Sequence, residues 1–348
     1  MRFYTQTRAH YCGIDLHARS LYVCILDHNA EVLVHKDIKA SPDALQRLIE
    51  PYIDQLVIGV ECMHCWYWIA DFCEERQIEF ILGHALYMRA IHGGKAKNDR
   101  IDSHKIAMLM RGGNFPLAYV YPKEMRATRD LLRRRSKMVR YSGQFKAHVS
   151  NTATQYNQPP PVKGSLRQIK GRAEMSDVFS DPAAQRSVDL DLSLVGFMDK
   201  EIQQLERFVE QQATDHFTKE VKLLRTIHGI GKILALTILY EVGDITRFDT
   251  VQQFASYSRL VKCKAESAGK QYGTQGNKIG NMHLKWAFSE AAVTYLKGND
   301  EGKAYLAKLQ RRMSKAKALS VLAHKLGRCV YFMLRSDQVF DEKRFLQG

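Results

Sequence analysis

The fold of this 348-residue chain is decided by one stretch near its start, Tyr11-Cys-Gly-Ile-Asp-Leu-His-Ala-Arg-Ser-Leu-Tyr-Val-Cys-Ile-Leu26. This pattern predicts two apolar strands joined by a tight turn, and residues 31–38 predict a third strand of an antiparallel meander. Further along, a wholly apolar strand over 56–60 and a short strand over 79–82 alternate with predicted helices. Strands followed by such alternation favour a mixed α/β sheet. We therefore expect an α/β domain at the start of the chain.

Four carboxylates lie within or at the ends of the predicted elements of this domain. Asp15 lies in the first strand, Glu61 directly follows the strand over 56–60, and Asp99 and Asp102 are three residues apart at a predicted helix start. A buried carboxylate at a strand end is costly unless it is paired or bound to a metal. Acids are also favoured near any helix start by the helix dipole. The four acids are therefore candidate metal ligands. Alternatively, Glu61 is a solvated loop residue, and Asp99 and Asp102 only mark an ordinary helix start.

The charge of the chain is unevenly distributed. Lysine and arginine outnumber the acids by 52 to 37, a net charge of +15. Residues 1–92 contain 8 basic and 12 acidic residues, a net −4, which leaves +19 for the remainder. Nucleic-acid binding is therefore expected beyond the first domain. Because no apolar run is long enough for a signal peptide or membrane span, and seven cysteines lack regular spacing, we expect a cytoplasmic protein without membrane association.

A basic helix is predicted over residues 123–146, with nine basic residues against two acids. Its densest point is Arg133-Arg134-Arg135. A charge run is usually a solvated helix face, but such an excess is costly to assemble without an acidic partner. We therefore favour contact with the backbone of DNA or RNA.

A second helix further along carries apolar residues at alternating steps of three and four, which is an a/d seam. Its members are Val195, Met198, Ile202, Leu205 and Val209. The seam is short and leaves two arrangements open. It predicts either a coiled-coil arm that pairs with a second subunit, which we favour, or an internal helical hairpin against the basic helix.

A glycine turn, Gly229-Ile-Gly231, separates two predicted helices and is followed by Lys232. A tight turn that exposes the free N–H groups of the next helix is how a helix-hairpin-helix binds a phosphate. The alternative is an ordinary helical hairpin with glycine at its turn.

Residues 261–283 are polar, with four glycines and four lysines. Small residues allow a nucleic-acid backbone to approach closely, so we expect a flexible loop that faces phosphates. Its candidate contacts are Gly269, Lys270 and Lys278. Composition does not choose a nucleophile among Ser267, Tyr272 and Thr274.

The order of the four acids and the strand pattern resemble the RuvC-like ribonuclease H fold. More closely, they resemble the DEDD-type transposases of bacterial insertion sequences, a family that also includes the Piv DNA invertases. The segments that carry the resemblance are Gly13-Ile-Asp15, Val60-Glu61 and Asn98-Asp-Arg-Ile-Asp102. It implies that Asp15, Glu61, Asp99 and Asp102 bind one or two Mg²⁺ ions. Ser103 is a mild departure from the usual small residue after the last acid.

A second resemblance lies in the polar segment, where Glu266-Ser-Ala-Gly-Lys270 is similar to the family's Ser-Gly-Gly-Lys motif. It implies that Ser267 attacks the scissile phosphate. Ala268 stands where the family often has glycine, and Tyr257-Ser-Arg-Leu-Val261 departs from the commoner Gly-Leu-Val-Pro. The resemblance also implies double-stranded DNA and a guide RNA as partners, and we expect a homo-oligomer, either a dimer or a tetramer.

Taken together, the residues and the resemblance predict three domains. They are a RuvC-like catalytic domain over 1–118, a basic-helix and coiled-coil region over 119–218, and a carboxy-terminal domain over 219–348 with the helix-hairpin-helix and the serine loop. The function expected is that of a site-specific DNA recombinase, the transposase of an insertion sequence, working through a phosphoserine link. Because the acids and Ser267 lie in different domains, this mechanism requires a composite site, which two subunits could share.

Three other functions are compatible with parts of the same pattern. A metal-dependent nuclease would use water as its nucleophile and would leave Ser267 incidental. A non-catalytic scaffold for DNA or RNA would keep the fold without needing the acids. A D-D-E transposase fits less well, because the last pair here is Asp-x-x-Asp and the glutamate comes second in order.

Overall fold

The computed structural model describes residues 2–91, 98–159, 165–213, 216–267, 270–275 and 279–347. The chain divides into two compact units, Met1–Lys123 and Glu124–Gly348. The first unit is built from strands and helices, and the second is mainly helical.

The first unit confirms the expected α/β domain with a mixed sheet. Its strands are β1 (Phe3–Tyr4), β2 (His10–Leu16), β3 (Ser20–Asp27), β4 (Val32–Lys39), β5 (Leu56–Glu61), β6 (Glu79–Gly83) and β7 (Phe115–Pro116). Its helices are α1 (Pro42–Ile49), α2 (Tyr67–Glu75), α3 (Ala85–Ile91) and α4 (Asp99–Arg111). Five strands form one sheet in the order β4-β3-β2-β5-β6, and β1 pairs with β7. Strands β2, β3 and β4 pair antiparallel to one another, which confirms the predicted meander. On the other side of β2, strands β5 and β6 run parallel to it.

Both faces of the central strand β2 are buried, because successive side chains of a strand point to opposite faces and β2 carries apolar side chains on both. Cys12 and Ile14 pack into one apolar cluster, which also contains Phe72 of α2. Tyr11 points to the opposite face and packs into a second cluster with Met110 of α4. Odd-numbered residues of β2 therefore face α4.

The second unit contains ten helices and two strands in the described residues. The helices are α5 (Lys123–Gln155), which begins at the last residue of the first unit, α6 (Ile169–Ser176), α7 (Pro182–Gln212), α8 (Thr218–Leu224), α9 (Lys232–Val242), α10 (Val251–Tyr257), α11 (Met282–Tyr295), α12 (Asp300–Gln310), α13 (Lys315–Ser336) and α14 (Glu342–Gln347). The strands β8 (Cys263–Ser267) and β9 (Lys270–Gln275) form an antiparallel hairpin. Helix α9 is buried on every side: most of its apolar residues share one core with α8, α10, α11 and α13, and Leu236 and Tyr240 pack against α5 and α7.

The a/d seam of α7 lies inside the second unit, against the basic helix α5. Val195 and Val209 are fully buried, and Val209 shares an apolar cluster with Leu132 of α5. Ion pairs join Arg135 of α5 to Glu206 of α7 and Lys146 to Asp199, so the two helices run antiparallel. The contacts are therefore those of an internal helical hairpin, and not those of the intermolecular coiled coil that the sequence favoured.

Candidate metal centre and nucleic-acid-binding elements

Two of the four predicted acids stand at the ends of neighbouring parallel strands. Ile14 of β2 pairs with Val60 of β5, so Asp15 and Glu61 are the next residues along both strands. Side chains at paired positions point to the same face of a sheet, and neighbouring strands lie about 4.8 Å apart. This is the face that α4 covers, and both carboxylates are half-buried there.

Helix α4 approaches β2 very closely because glycine stands at position 13. A β-carbon there would lie 2.3 Å from the backbone oxygen of Ser103 and 2.5 Å from the backbone nitrogen of Ala107. Ser103 is itself fully buried, and its hydroxyl donates to the backbone oxygen of Arg100 over 3.0 Å. Glycine is therefore required at position 13, and the buried position 103 is filled by the small side chain of serine.

The start of α4 is held in place by a cap and by a strand residue. The side-chain oxygen of Asn98 accepts a hydrogen bond from the backbone N–H of Ile101 over 2.8 Å, as expected of an N-cap. His35 of β4 donates through Nε2 to the backbone oxygen of Arg100 over 2.9 Å. These contacts fix the first turn of α4, which carries Asp99 and Asp102, over the edge of the sheet.

Asp15 and Asp99, from β2 and α4, converge on His17. The Nε2 atom of His17 lies 3.6 Å from Oδ2 of Asp15 and 3.3 Å from Oδ2 of Asp99. All three ligand atoms lie within 4.8 Å of one another, and they form the one such group among the described residues. Carboxylate oxygens and imidazole nitrogen are both ligands of divalent cations. This group could therefore hold a divalent metal.

Glu61 and Asp102 are outside that group of three. The Asp102 carboxylate lies 3.5 Å from the ammonium group of Lys105, one turn further along α4. The register of β2 and β5 places Glu61 beside Asp15. The structure therefore brings Asp15 and Asp99 together directly, and it places the other two acids around them.

In the basic helix, two of the three consecutive arginines make ion pairs within the second unit. Arg133 donates to both carboxylate oxygens of Glu241, over 2.6 and 2.9 Å, and Arg135 donates to Glu206 over 2.8 Å. Arg134 is exposed. Acidic partners inside the chain thus balance part of the charge that the sequence assigned to nucleic acid.

Glu241 is the centre of a buried polar network. Its side chain is 2 % exposed, and it also accepts hydrogen bonds from Arg129 over 3.2 Å and from the Asn281 side chain over 2.7 Å. Burial by itself would raise the pKa of Glu241, but the Arg133 hydrogen bond and the two arginine charges outweigh it and lower that pKa. The carboxylate therefore stays ionised and ties α5, α9 and the start of α11 together.

The glycine turn joins α8 to α9. Gly229 has φ of +82°, and a β-carbon there would lie 2.5 Å from the backbone of Thr294, so only glycine fits. Gly231 is the N-cap of α9, has no side-chain cap and has open space around its α-carbon. Lys232 pairs with Glu210 over 2.9 Å. One glycine is thus required by packing, whereas the other leaves the start of α9 open.

The polar segment after α10 contains the β8–β9 hairpin where the sequence predicted a flexible loop. Ser267 is the last residue of β8 and pairs in register with Lys270 of β9. Of the other predicted contacts, Gly269 and Lys278 lie outside the described residues. The base of the segment is closed by a hydrogen bond from the backbone N–H of Asn281 to the Tyr257 oxygen, over 2.6 Å.

Comparison with known proteins matches two segments of the chain to transposases. Residues 12–158 match a family model for the DEDD transposases of IS110, described as "Transposase", and residues 221–307 match one described as "Transposase IS116/IS110/IS902 family". The chain is a DNA transposase.

Two similar proteins with transposase names match the chain over most of their own length. The transposase is 23% identical over 320 residues to a Sinorhizobium fredii protein named as the transposase y4qE, over 90% of this chain and 78% of that protein. It is 24% identical over 347 residues to a Pseudomonas aeruginosa protein named as a family 20 transposase, over 94% of this chain and 97% of that one. A protein of the insertion element IS110 of Streptomyces coelicolor is 29% identical over 127 residues, which is 36% of this chain and 31% of that protein.

The matched segments contain the elements described above. The first includes the four acids and the basic arginines, and the second includes the glycine turn and the β8–β9 hairpin with Ser267. Membership of the DEDD transposase family model implies the use of a divalent metal. The cluster of Asp15, His17 and Asp99 is a chemically suitable site for such a metal in this transposase. Among the helices of the described residues, none is both long and apolar enough to span a membrane.

Sequence reasoning did not single out His17 as a functional residue. It stands two residues after Asp15, and a period of two keeps side chains on one face of a strand. The spacing from Asp15 was therefore a signal that His17 could share its face. However, β2 ends at Leu16, so His17 lies in the following turn, where a histidine usually has no special role. Only the arrival of Asp99 from α4 makes its position significant.

Proposed function

We propose that this transposase cuts and rejoins the DNA of an insertion sequence by metal-assisted attack of Ser267 on the scissile phosphate. The observation that carries the proposal is the convergence of Asp15 and Asp99, from distant parts of the chain, on a group suited to a divalent cation. The strand order of the mixed sheet supports a ribonuclease H-like, RuvC-like fold for this unit.

The acids bind the metal in this proposal. Asp15 and Asp99 are direct ligands, Glu61 adds a carboxylate from the neighbouring strand, and Asp102 completes the set from α4. One or two Mg²⁺ ions, when bound, stabilise the charge on the scissile phosphate and its leaving oxygen. The glycine at position 13 serves this arrangement, because it sets the separation between α4 and β2.

Ser267 supplies the nucleophile. Its oxygen forms a bond to phosphorus while the bond from phosphorus to a deoxyribose oxygen breaks. The proton of the serine hydroxyl passes to that leaving oxygen, which becomes a free hydroxyl. The phosphoserine link retains the energy of the broken ester, so a hydroxyl of another strand can displace the serine and restore it. Lys270, which pairs with Ser267 in the hairpin, places a positive charge beside the attacked phosphate.

The second unit binds nucleic acid in this proposal. The proposal is supported by the net charge of +15 over residues 124–348, by the exposed Arg134 and by the open N-terminus of α9 at Gly231. The turn from α8 to α9 acts as a helix-hairpin-helix, with Lys232 adding charge near the phosphate. Double-stranded DNA and an RNA guide encoded by the element are the partners, and the active form is a homo-oligomer.

A denaturing gel tests the proposal. Purified protein is incubated with Mg²⁺, a duplex that carries the joined ends of the encoding element, and RNA transcribed from its flanks. We expect a DNA-linked protein band for the wild type and for Ser256→Ala, an exposed serine of α10. The band should be absent for Ser267→Ala and for Asp99→Asn, and present for Asp37→Asn, an exposed acid of the same unit.

Two outcomes would overturn parts of this assignment. Free cut ends with equal yield from wild type and Ser267→Ala would make the serine structural and the protein a nuclease that uses water. Full recombination by Asp99→Asn would remove the acids from the chemistry.

A further inference from the structure

We propose that His17 is a direct ligand of the metal held by Asp15 and Asp99, and that its nitrogen makes this site prefer Mn²⁺ to Mg²⁺. The inference rests on the proposed function, because it takes the acid cluster as the metal centre. It adds a ligand that the four-acid pattern does not contain.

The position of His17 is set by the turn between β2 and β3. Its backbone N–H donates to the Ser20 oxygen over 3.0 Å, which closes the turn. The side chain leaves this turn on the same side as Asp15, and its Nε2 lies between Oδ2 of Asp15 and Oδ2 of Asp99. The hydrogen-bonded turn thus presents one ring nitrogen to two carboxylates.

The distances fit a shared cation better than hydrogen bonds. N–H···O hydrogen bonds span about 2.7–3.2 Å, whereas the two separations here are 3.6 and 3.3 Å. Adjacent ligands of one cation with bonds of about 2.1 Å lie about 3 Å apart at a right angle and slightly more at wider angles. The three ligand atoms therefore surround a volume of the right size for a metal ion.

The ring nitrogen is also buried without a hydrogen-bond partner. Although 43% of the His17 side chain is exposed, its Nε2 atom is shielded from solvent and has no such partner among the described residues. A buried polar atom without a hydrogen-bond partner destabilises the folded state. Coordination of a cation by the ring nitrogen would satisfy this atom.

A nitrogen ligand changes which metal the site prefers. Mg²⁺ strongly favours oxygen ligands and keeps much of its water. Mn²⁺ accepts the same octahedral carboxylate sites, and as a transition metal it also gains from an imidazole ligand. The mixed set of Asp15, His17 and Asp99 should therefore bind Mn²⁺ more tightly than Mg²⁺.

Electron paramagnetic resonance of full-length protein, stripped of metal and reloaded with Mn²⁺, tests the inference. We expect electron spin-echo modulation from a directly bound ¹⁴N, replaced by the ¹⁵N pattern in protein labelled at histidine. In His17→Gln this coupling should be lost and Mn²⁺ affinity should fall about tenfold, while Mg²⁺ affinity changes by less than about twofold. His28→Gln, an exposed histidine of the same unit, should behave as wild type.

The outcomes separate this inference from the proposed function. Mn²⁺ bound by wild type without nitrogen coupling, yet lost in Asp15→Asn, would overturn the role of His17 and leave the acid centre in place. Metal binding that persists unchanged in Asp15→Asn would overturn the acid centre itself. The labelled wild type needs no variant, so the test does not depend on the folding of His17→Gln.

Discussion

Gly13 and Ser103 are in such close contact that a β-carbon at position 13 would lie 2.3 Å from the Ser103 backbone oxygen. This contact sets the distance between strand β2 and helix α4. Because Asp15 follows on the strand and Asp99 precedes on the helix, it also sets the separation of the two acids. The candidate metal centre thus depends on a glycine that carries no chemistry.

Gly13→Ala should therefore destabilise the protein by about 1–3 kcal/mol, since the obstructing atoms are backbone and α4 must move away. Metal affinity should fall with stability, because the separation of Asp15 and Asp99 widens. Urea unfolding and Mn²⁺ titration measure the two effects. The matched control is Gly143→Ala in the exposed face of α5, where a β-carbon meets nothing within 4 Å in the described structure. That change should stabilise the helix by about 0.5–1 kcal/mol, and a wild-type response from Gly13→Ala would contradict the close approach of α4.

Glu241→Gln should destabilise the protein at neutral pH by about 3–5 kcal/mol, because it removes a buried negative charge that pairs with both Arg129 and Arg133. Glu174→Gln, an exposed acid in a helical pair with Lys170, should cost less than about 0.5 kcal/mol. Chemical denaturation of the two variants measures both values.

The same carboxylate should make stability depend on pH. The folded pKa of Glu241 is lowered from its ordinary 4.5, so its contribution is complete above that value and is lost as the pH falls through the lower folded pKa. The difference in unfolding free energy between wild type and Glu241→Gln should accordingly shrink on going from about pH 7 to about pH 3. A constant difference over that range would show that the charge of Glu241 does not stabilise the fold.

Gly231→Asp should separate the stability of α9 from its binding of phosphate. Aspartate is a good N-cap, so thermal stability should be maintained or raised. Its negative charge beside the open helix start should weaken binding to duplex DNA by about tenfold at low salt. Gly231→Asn caps equally well without charge and should bind as wild type does. Equal DNA affinity of the two variants, measured by fluorescence anisotropy over a salt series, would exclude this turn as a phosphate site.

Val209→Ala tests whether the α7 seam is internal. Val209 is fully buried against α5, whereas the adjacent Phe208 is 52% exposed. Truncating Val209 should cost about 1–3 kcal/mol and should act equally at all protein concentrations. Truncating Phe208 should cost less than about 1 kcal/mol. A larger loss from Phe208→Ala, with a melting temperature that rises with protein concentration, would instead indicate pairing between subunits.

Much of the first unit could be predicted from local patterns. The apolar run from Leu56 to Val60 is a buried strand, and Asn98 caps the helix that carries Asp99. The prediction of a flexible loop around Ser267 was wrong, because the structure has the β8–β9 hairpin there. A polar, glycine-rich composition does not exclude such strand pairing. Composition indicates the charge of a segment and its tendency to be flexible. Whether the segment forms a strand depends on the position of the second strand with which it would pair.

The sequence by itself determined the class of the first unit, the order of its acids and the basic character of the rest, because alternation, helical period and net charge are properties of neighbouring residues. Only the tertiary structure decided how these residues are used. Arg133 and Arg135 meet acids that are 108 and 71 positions away, and His17 gains its importance from Asp99, which arrives on another element. Such contacts depend on how helices and strands pack, and a linear pattern contains no distance between residues that are far apart along the chain.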